Sequence, residues 1–516
     1  MRTFIALLSS FGLYVTVSSQ NLHEDVVLKR NTEASHLHKR GHSDFTVHHN
    51  APRAAAVACE PADPANTVTT RLNNLLATSG PGYVLNLCPS QQYLIQQPIS
   101  FAAPNQEITT FGNPTDDTRA TLVVSGSRAT DGSGHSTAVN GQCATCNGCK
   151  LHHIQINGTR NGVLPLTGGA NIEMGGPTTG QVIEFVRSFD PRSWSCMHAA
   201  EGQLNCSNMT IQNNDVGPCG SDLFNQWADG ISVACPKSIV RNNMINTPTD
   251  GGIVLFGAPG TIVENNTIWV ETNTLLGAIN MVDYTPWGGD YTGTIVQNNT
   301  IIGGFATSEE IPGDSKGINN QDAMIKVGIA MGPRVWFGDR VLHNISFNGI
   351  VRNNQFTGGF GFAMAANGVR NFTVEGNTLV GNTSFFGAVG PNCTKTETID
   401  PEAFVYVLAN ATGSEFQSEF ASVQDGDGLI CIQPPEGDFW PIAGNANPKF
   451  GQPSSTMPQS GGSDTSRTVG LAVGIPLGIA LVVILTFLIR RRAVQTLPDA
   501  SRAGGSEKGW TRRTSL

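Results

Sequence analysis

Charge is what this 516-residue chain has least of: Asp, Glu, Lys and Arg together make up 14% of it, against roughly a quarter in ordinary soluble proteins. A coiled coil or long helical bundle needs Glu and Lys in quantity, so the shortage excludes both. A basic surplus is missing too. With a net charge of -9 and a pI near 5.7, the chain has no electrostatic hold on phosphate, and no nucleic-acid partner is expected. Windows of ten or more residues with a 3.6-residue apolar period are absent from the central region, which excludes a helical solenoid there. In their place stand 59 glycines and 42 asparagines, the composition of a chain rich in turns.

The two ends predict a compartment. Arg2 followed by the apolar residues Phe4–Leu8 and Phe11–Val17, with Val17 and Ser19 before Gln20, reads as a signal peptide over 1–19. Lys29-Arg30 and Lys39-Arg40 mark 20–57 as a processed propeptide or a flexible segment. Val469 to Ile489 carries no charge over 21 residues, about 31 Å as a helix, which matches the hydrocarbon thickness of a bilayer. Arg490, Arg491 and Arg492 follow at once and place 490–516 in the cytosol as a basic tail. The expectation is a single-pass type I membrane protein, its ectodomain extracellular and joined to the membrane through a Pro-, Gly- and Ser-rich stalk at 441–468.

Ten Asn-x-Ser/Thr sequons, from Asn157 to Asn410, agree with a secreted glycoprotein. All 11 cysteines lie between Cys59 and Cys431, where disulfides persist. Proximity in sequence pairs Cys59 with Cys88, Cys196 with Cys206, Cys219 with Cys235 and Cys393 with Cys431, and an odd count leaves one thiol over. Cys143, Cys146 and Cys149 read as disulfide chemistry or as a zinc site lacking a fourth ligand. No metal and no cofactor is predicted.

An internal repeat sets the fold. Ile239-Val240-Arg241-Asn242-Asn243-Met244-Ile245 returns at Ile262–Ile268, Ile295–Ile301 and Ile350–Phe356, with related text at Ile211–Val216 and Thr373–Leu379. Starts fall 23 residues apart in the tightest cases, as expected when each repeat is one coil with loops of variable length. Between copies run short strands with a period of two. These features predict an all-β right-handed parallel β-helix over 58–390. Asn suits the bends because it tolerates left-handed backbone angles and its amide can bond to the Asn above and below. Val68, Leu72, Leu75 and Leu76 share one face of an N-terminal capping helix within 64–78, and 391–440 is expected to cap the other end.

The helix cap, the Ile-x-x-Asn-Asn coils and the Gly-Ile strands resemble the pectin lyase-like β-helix superfamily. That superfamily includes lyases, hydrolases, epimerases, esterases and non-enzymatic adhesins, so the resemblance implies a fold rather than an activity. Asp229 in Trp-Ala-Asp-Gly-Ile and Asp250 in Thr-Asp-Gly-Gly-Ile lie 21 residues apart, one coil, which predicts two carboxyls at neighbouring positions on one edge. Two close carboxyls raise the pKa of one of them and so supply an acid and a base together, the arrangement glycoside hydrolysis needs. The text is similar to that of polygalacturonases, and the resemblance implies Asp250 as general acid and Asp229 as base. It also departs from them: Gly251 replaces the second Asp of the pair, Leu276-Gly277-Ala278 stands where Gly-His-Gly is expected, and Met324-Ile325-Lys326 only echoes Arg-Ile-Lys.

Trp227, Asp222, Asp283, Trp287 and Lys326 are the expected substrate contacts, tryptophan for stacking on sugar rings. Asp before Gly is also common at coil turns, where the carboxylate bonds backbone N–H groups. Two readings follow: a membrane-anchored enzyme that hydrolyses or otherwise processes a cell-wall or matrix polysaccharide, a uronate-containing one among the candidates, or a non-catalytic surface glycoprotein that binds glycan or spaces membrane from wall.

Overall fold

The two asparagines of each repeat do different work. The first takes the left-handed backbone conformation, with φ of 56° at Asn213, 55° at Asn242, 56° at Asn265, 55° at Asn298 and 55° at Asn353, and glycine takes over at Gly376 in the sixth copy. That residue turns the chain from one face of the solenoid to the next. The second is buried and builds a ladder: the Nδ2 of Asn214, Asn243, Asn266, Asn299 and Asn354 each donates to the Oδ1 of the next coil's Asn at 2.9 Å, and Asn377 donates to Gln417 Oε1 at 3.1 Å. Each amide also caps a carbonyl of the preceding coil, as Asn266 Nδ2 does with Val240 O at 3.0 Å. The buried polar groups of the bend are thereby satisfied without water.

The structure is a computed structural model that describes residues 59–429 apart from 222–225, 272, 305–323, 339–343, 386, 388–401 and 424–428. Every paired strand runs parallel to its neighbours, and the coils form a parallel β-helix as the repeat predicts. One face is an 11-stranded sheet in which Ile211, Val240, Val263, Val296, Val351 and Val374 stand in register, all buried. The second and third faces are counted as one sheet because the strand Gln355–Ala366 runs through both. Alternating side chains from the three faces fill one continuous apolar interior. The helix Ala65–Ser79 closes the N-terminal end, burying Val68, Leu72 and Leu76 fully and Leu75 in part.

The parallel stack does not stop at 390. Strands Phe404–Val407, Glu415–Phe416 and Ala421–Val423 add further coils, closed by stacked Phe404, Phe416, Phe420 and Tyr406. The cysteine pairs also differ from those nearest in sequence. Cys59–Cys88 forms as expected, but Cys196 pairs with Cys219 and Cys206 with Cys235, not Cys196 with Cys206 or Cys219 with Cys235. Sequence neighbours within a coil diverge onto different faces, whereas residues one coil apart stack. In the Cys-x-x-Cys-x-x-Cys run a Cys143–Cys146 disulfide replaces any zinc arrangement, and the buried Cys149 thiol donates to Ala103 O.

The predicted signal peptide, propeptide, stalk, membrane helix and tail lie outside the described residues, as do Asp222, Cys393 and Cys431. Among the described residues no helix is long and apolar enough to cross a membrane.

Candidate active site

The third face carries the site. Its strands Ser195–Ala200, Asp229–Val233, Gly251–Leu255, Leu275–Met281 and Ile325–Met331 stack in that order, with Ser195 beside Asp229, Gly251 beside Gly277 and Gly277 beside Val327. Two successive residues of each strand face the interior. A Cβ at Gly230 would meet Ile245 Cγ2 at 2.9 Å and one at Gly252 would meet Ile268 Cγ2 at 2.9 Å, while Ile231 and Ile253 are themselves in the core. This doubling breaks the strict alternation and leaves Asp229 and Gly251 on the outer side of the wall. Asp250 arrives from the turn one coil on, pinned by its backbone: its N–H donates to Ala228 O and its carbonyl accepts from Gly277 N.

The result is a cleft of about 320 Å³ in which Asp229, Asp250 and Asp283 converge with Trp194, Trp227, Trp336 and Asn280 over a floor that includes Val254 and Leu276. Asp229 is almost fully buried. Its Oδ1 accepts from Gly251 N at 2.9 Å and its Oδ2 contacts Ser232 Oγ at 2.8 Å. Burial, then the charge of Asp250, holds this carboxyl well above the ordinary carboxylate range. Burial pushes Asp250 up to about 6, and burial followed by the charge of Asp250 pushes Asp283 up to about 7. Asp250 and Asp283 keep partial exposure at the mouth. Near neutral pH the cluster therefore holds protonated and ionised carboxyls side by side.

The cleft explains one departure from the polygalacturonase text. A Cβ on Gly251 would lie 2.1 Å from Val254 Cγ2 and 3.1 Å from both Asn280 Nδ2 and Asp229 Oδ1. The space of a second carboxyl is thus filled by Val254 and Asn280. Asn280 also leans over Gly277, where a Cβ would meet its Oδ1 at 2.0 Å. That Oδ1 is buried and has no hydrogen-bond donor among the described residues.

Of the sequence-predicted residues, Asp229, Asp250, Asp283 and Trp227 come together, and Asp222 lies outside the described residues. Trp287 does not line the cleft; its indole N–H donates to Ala234 O at 2.7 Å and its ring packs on Gly257. Lys326 is not among the lining residues either. It stands one coil beyond Leu276, fully buried, and burial lowers its ammonium to about 7. Sequence reasoning missed Trp194, Asn280 and Trp336. Stepping back one coil from Asp229 reaches Ser195 and its neighbour Trp194, so the coil period carried that signal. Trp336 sits on the short helix Arg334–Phe337, for which the repeat gives no position.

No protein-family model matches the chain, and no curated protein matches it. Among solved structures it is similar to the A-module of an Azotobacter vinelandii mannuronan C-5 epimerase, at 12% identity over 74% of this chain and 95% of that one, TM-score 0.40. It is similar to the catalytic domain of an alpha-1,3-glucanase at 12% identity over 72% and 68%, TM-score 0.39. A DFA-IIIase from Arthrobacter chlorophenolicus gives 11% over 72% and 95%, TM-score 0.38. The β-helix itself is established by the strand registers.

Proposed function

We propose that the protein is an extracellular, membrane-anchored carbohydrate-active enzyme that hydrolyses a polysaccharide, with Asp229 and Asp250 as its acid–base pair. The observation that carries this reading is the convergence of three carboxyls, their pKa values raised and spread by burial and mutual charge, with three tryptophans in one cleft. In the reaction the protonated carboxyl gives its proton to the glycosidic oxygen as the anomeric C–O bond breaks. The ionised partner takes a proton from water as the water oxygen bonds the anomeric carbon. Tryptophan faces suit the apolar sides of sugar rings. The lining holds three carboxyls and, among the described residues, no Lys or Arg, a composition better matched to a neutral sugar than to a uronate.

A second reading, a non-catalytic glycan-binding surface protein, draws on the contacts at both Asp229 oxygens, which also suit a structural role. The two readings separate in one assay. The chain is incubated with a panel of neutral and acidic polysaccharides, and reducing ends and unsaturated products are measured beside Asp229→Asn and Asp250→Asn. Hydrolysis lost by at least a hundredfold in both variants supports the enzyme. Binding without product from any substrate supports the second reading, and activity indifferent to both changes rejects the site.

A further inference from the structure

Behind the cleft, three oxygen-to-oxygen contacts run in series: Asp229 Oδ2 to Ser232 Oγ at 2.8 Å, Ser232 Oγ to Ser195 Oγ at 2.9 Å, and Ser195 Oγ to the Met197 carbonyl at 2.8 Å. Ser232 and Ser195 are both fully buried. The series ends on a backbone carbonyl, which only accepts, so the last contact requires the Ser195 hydroxyl proton. Ser195 has no second proton, so the middle contact requires that of Ser232. The first contact is then left without a hydroxyl proton. With Asp229 ionised, two protons serve three short contacts and one oxygen pair faces lone pair to lone pair. With Asp229 protonated on Oδ2, three protons serve three contacts, and Oδ1 remains the carbonyl oxygen that accepts from Gly251 N–H.

We infer that Asp229 is the member of the pair that holds the proton, and that Ser232 and Ser195 are positioning residues that fix it on Oδ2. This deepens the proposed function by assigning its acid to Asp229 and its base to Asp250, the reverse of the roles the polygalacturonase resemblance implies. The ionisable groups facing Asp229 agree. Asp250, from the turn of the next coil, and Asp283, beyond the strand after it, are both acidic and disfavour a third charge. On the N-terminal side, the row position of Ser232 is taken by His198, whose Nδ1 is engaged by Glu173 Oε2 at 2.7 Å.

The assignment makes opposite predictions for one substitution. If Ser232 accepts the Asp229 proton, Ser232→Ala removes the acceptor and the carboxyl becomes a stronger acid. If Ser232 donates to an ionised Asp229, the same change makes it a weaker one. Ser195→Ala frees the Ser232 proton to turn toward Asp229, so it too strengthens the acid in the first case and has no effect in the second. The test is an infrared pH titration of the full chain, following the protonated-carboxyl band that disappears in Asp229→Asn. The band is expected to persist in the parent at pH 7, and both serine variants should raise the dissociation constant of that proton by roughly tenfold. A lowered constant in Ser232→Ala, an unmoved one in Ser195→Ala, or no such band in the parent at pH 7 overturns the inference. Should Ser232→Ala fail to fold, the parent band and Ser195→Ala still decide it. None of these readouts depends on turnover, so failure of the glycan reading and failure of the proton assignment remain separate results.

Discussion

At the scale of single residues, the cleft carboxyls are held at a cost to the fold. Asp283, pushed from an ordinary 3.8 to about 7, retains in the folded chain a proton that the unfolded chain releases above about 4. For a group whose folded pKa is raised, the native state binds more protons than the unfolded one, so stability falls as pH rises between those values. Asp283→Asn removes the penalty. Its Tm is expected to exceed the parent's by about 1–3 °C at pH 7.5, with the difference closing as the pH is lowered to 4. Calorimetry across that range checks both the sign and the window. A parent and variant separated equally at both pH values would mean that the carboxyl is not buried as described. Natural sequence changes that ease such strain are bought with function, so a glycan-active parent should lose binding or rate in the same variant.

At the scale of the repeat, the sequence was legible where one coil copies another. The Asn pairs marked the bend, and both expected properties of asparagine proved real, though divided between two positions: backbone angle at the first, ladder at the second. The one-coil spacing of Asp229 and Asp250 was enough to bring them into one cleft. What escaped was whatever lies off the repeat. Trp336 comes from a short helix inserted between coils, and Asn280 reaches the cleft only because Gly251 and Gly277 lack the side chains that would exclude it. The pairings of Cys196 with Cys206 and of Cys219 with Cys235 failed for a related reason, since separation along the chain is a poor guide to separation in a solenoid. The division of labour between paired asparagines is testable. Asn243→Ala removes the bonds from Asn214 N and Nδ2 to its Oδ1 and those from its Nδ2 to Ile211 O and Asn266 Oδ1. A loss of about 2–4 kcal/mol is expected. Asn242→Gly, at an exposed position with φ of 55°, should stay within about 0.5 kcal/mol of the parent. Equal costs in denaturant titrations of the two variants would show that the ladder is not what stabilises the bend.

At the scale of the whole molecule, the described coils and the sequence beyond them suggest a division between a working solenoid and an anchor. Each sequon asparagine among the described residues is at least partly exposed, and Asn265 and Asn298 occupy the left-handed corner on successive coils, where a glycan meets solvent rather than the core. Disulfides join successive coils through Cys196–Cys219 and Cys206–Cys235, which suits an oxidising compartment. Both features agree with the proposed extracellular location. The proposed anchor rests on sequence alone: Val469 to Ile489 is uncharged and ends on three arginines, whereas the last described strand closes at Val423. A chain truncated after Trp440 keeps every described strand and should be released into the medium of expressing cells, glycosylated and with the same polysaccharide activity or binding as the full chain. The full chain should stay in the membrane fraction through an alkaline carbonate wash and leave it only with detergent, because about 20 apolar residues in the hydrocarbon core are not displaced by charge or pH. Release of the full chain by carbonate would remove the proposed anchor but leave the solenoid and its cleft, whose described lining runs from Trp194 to Trp336.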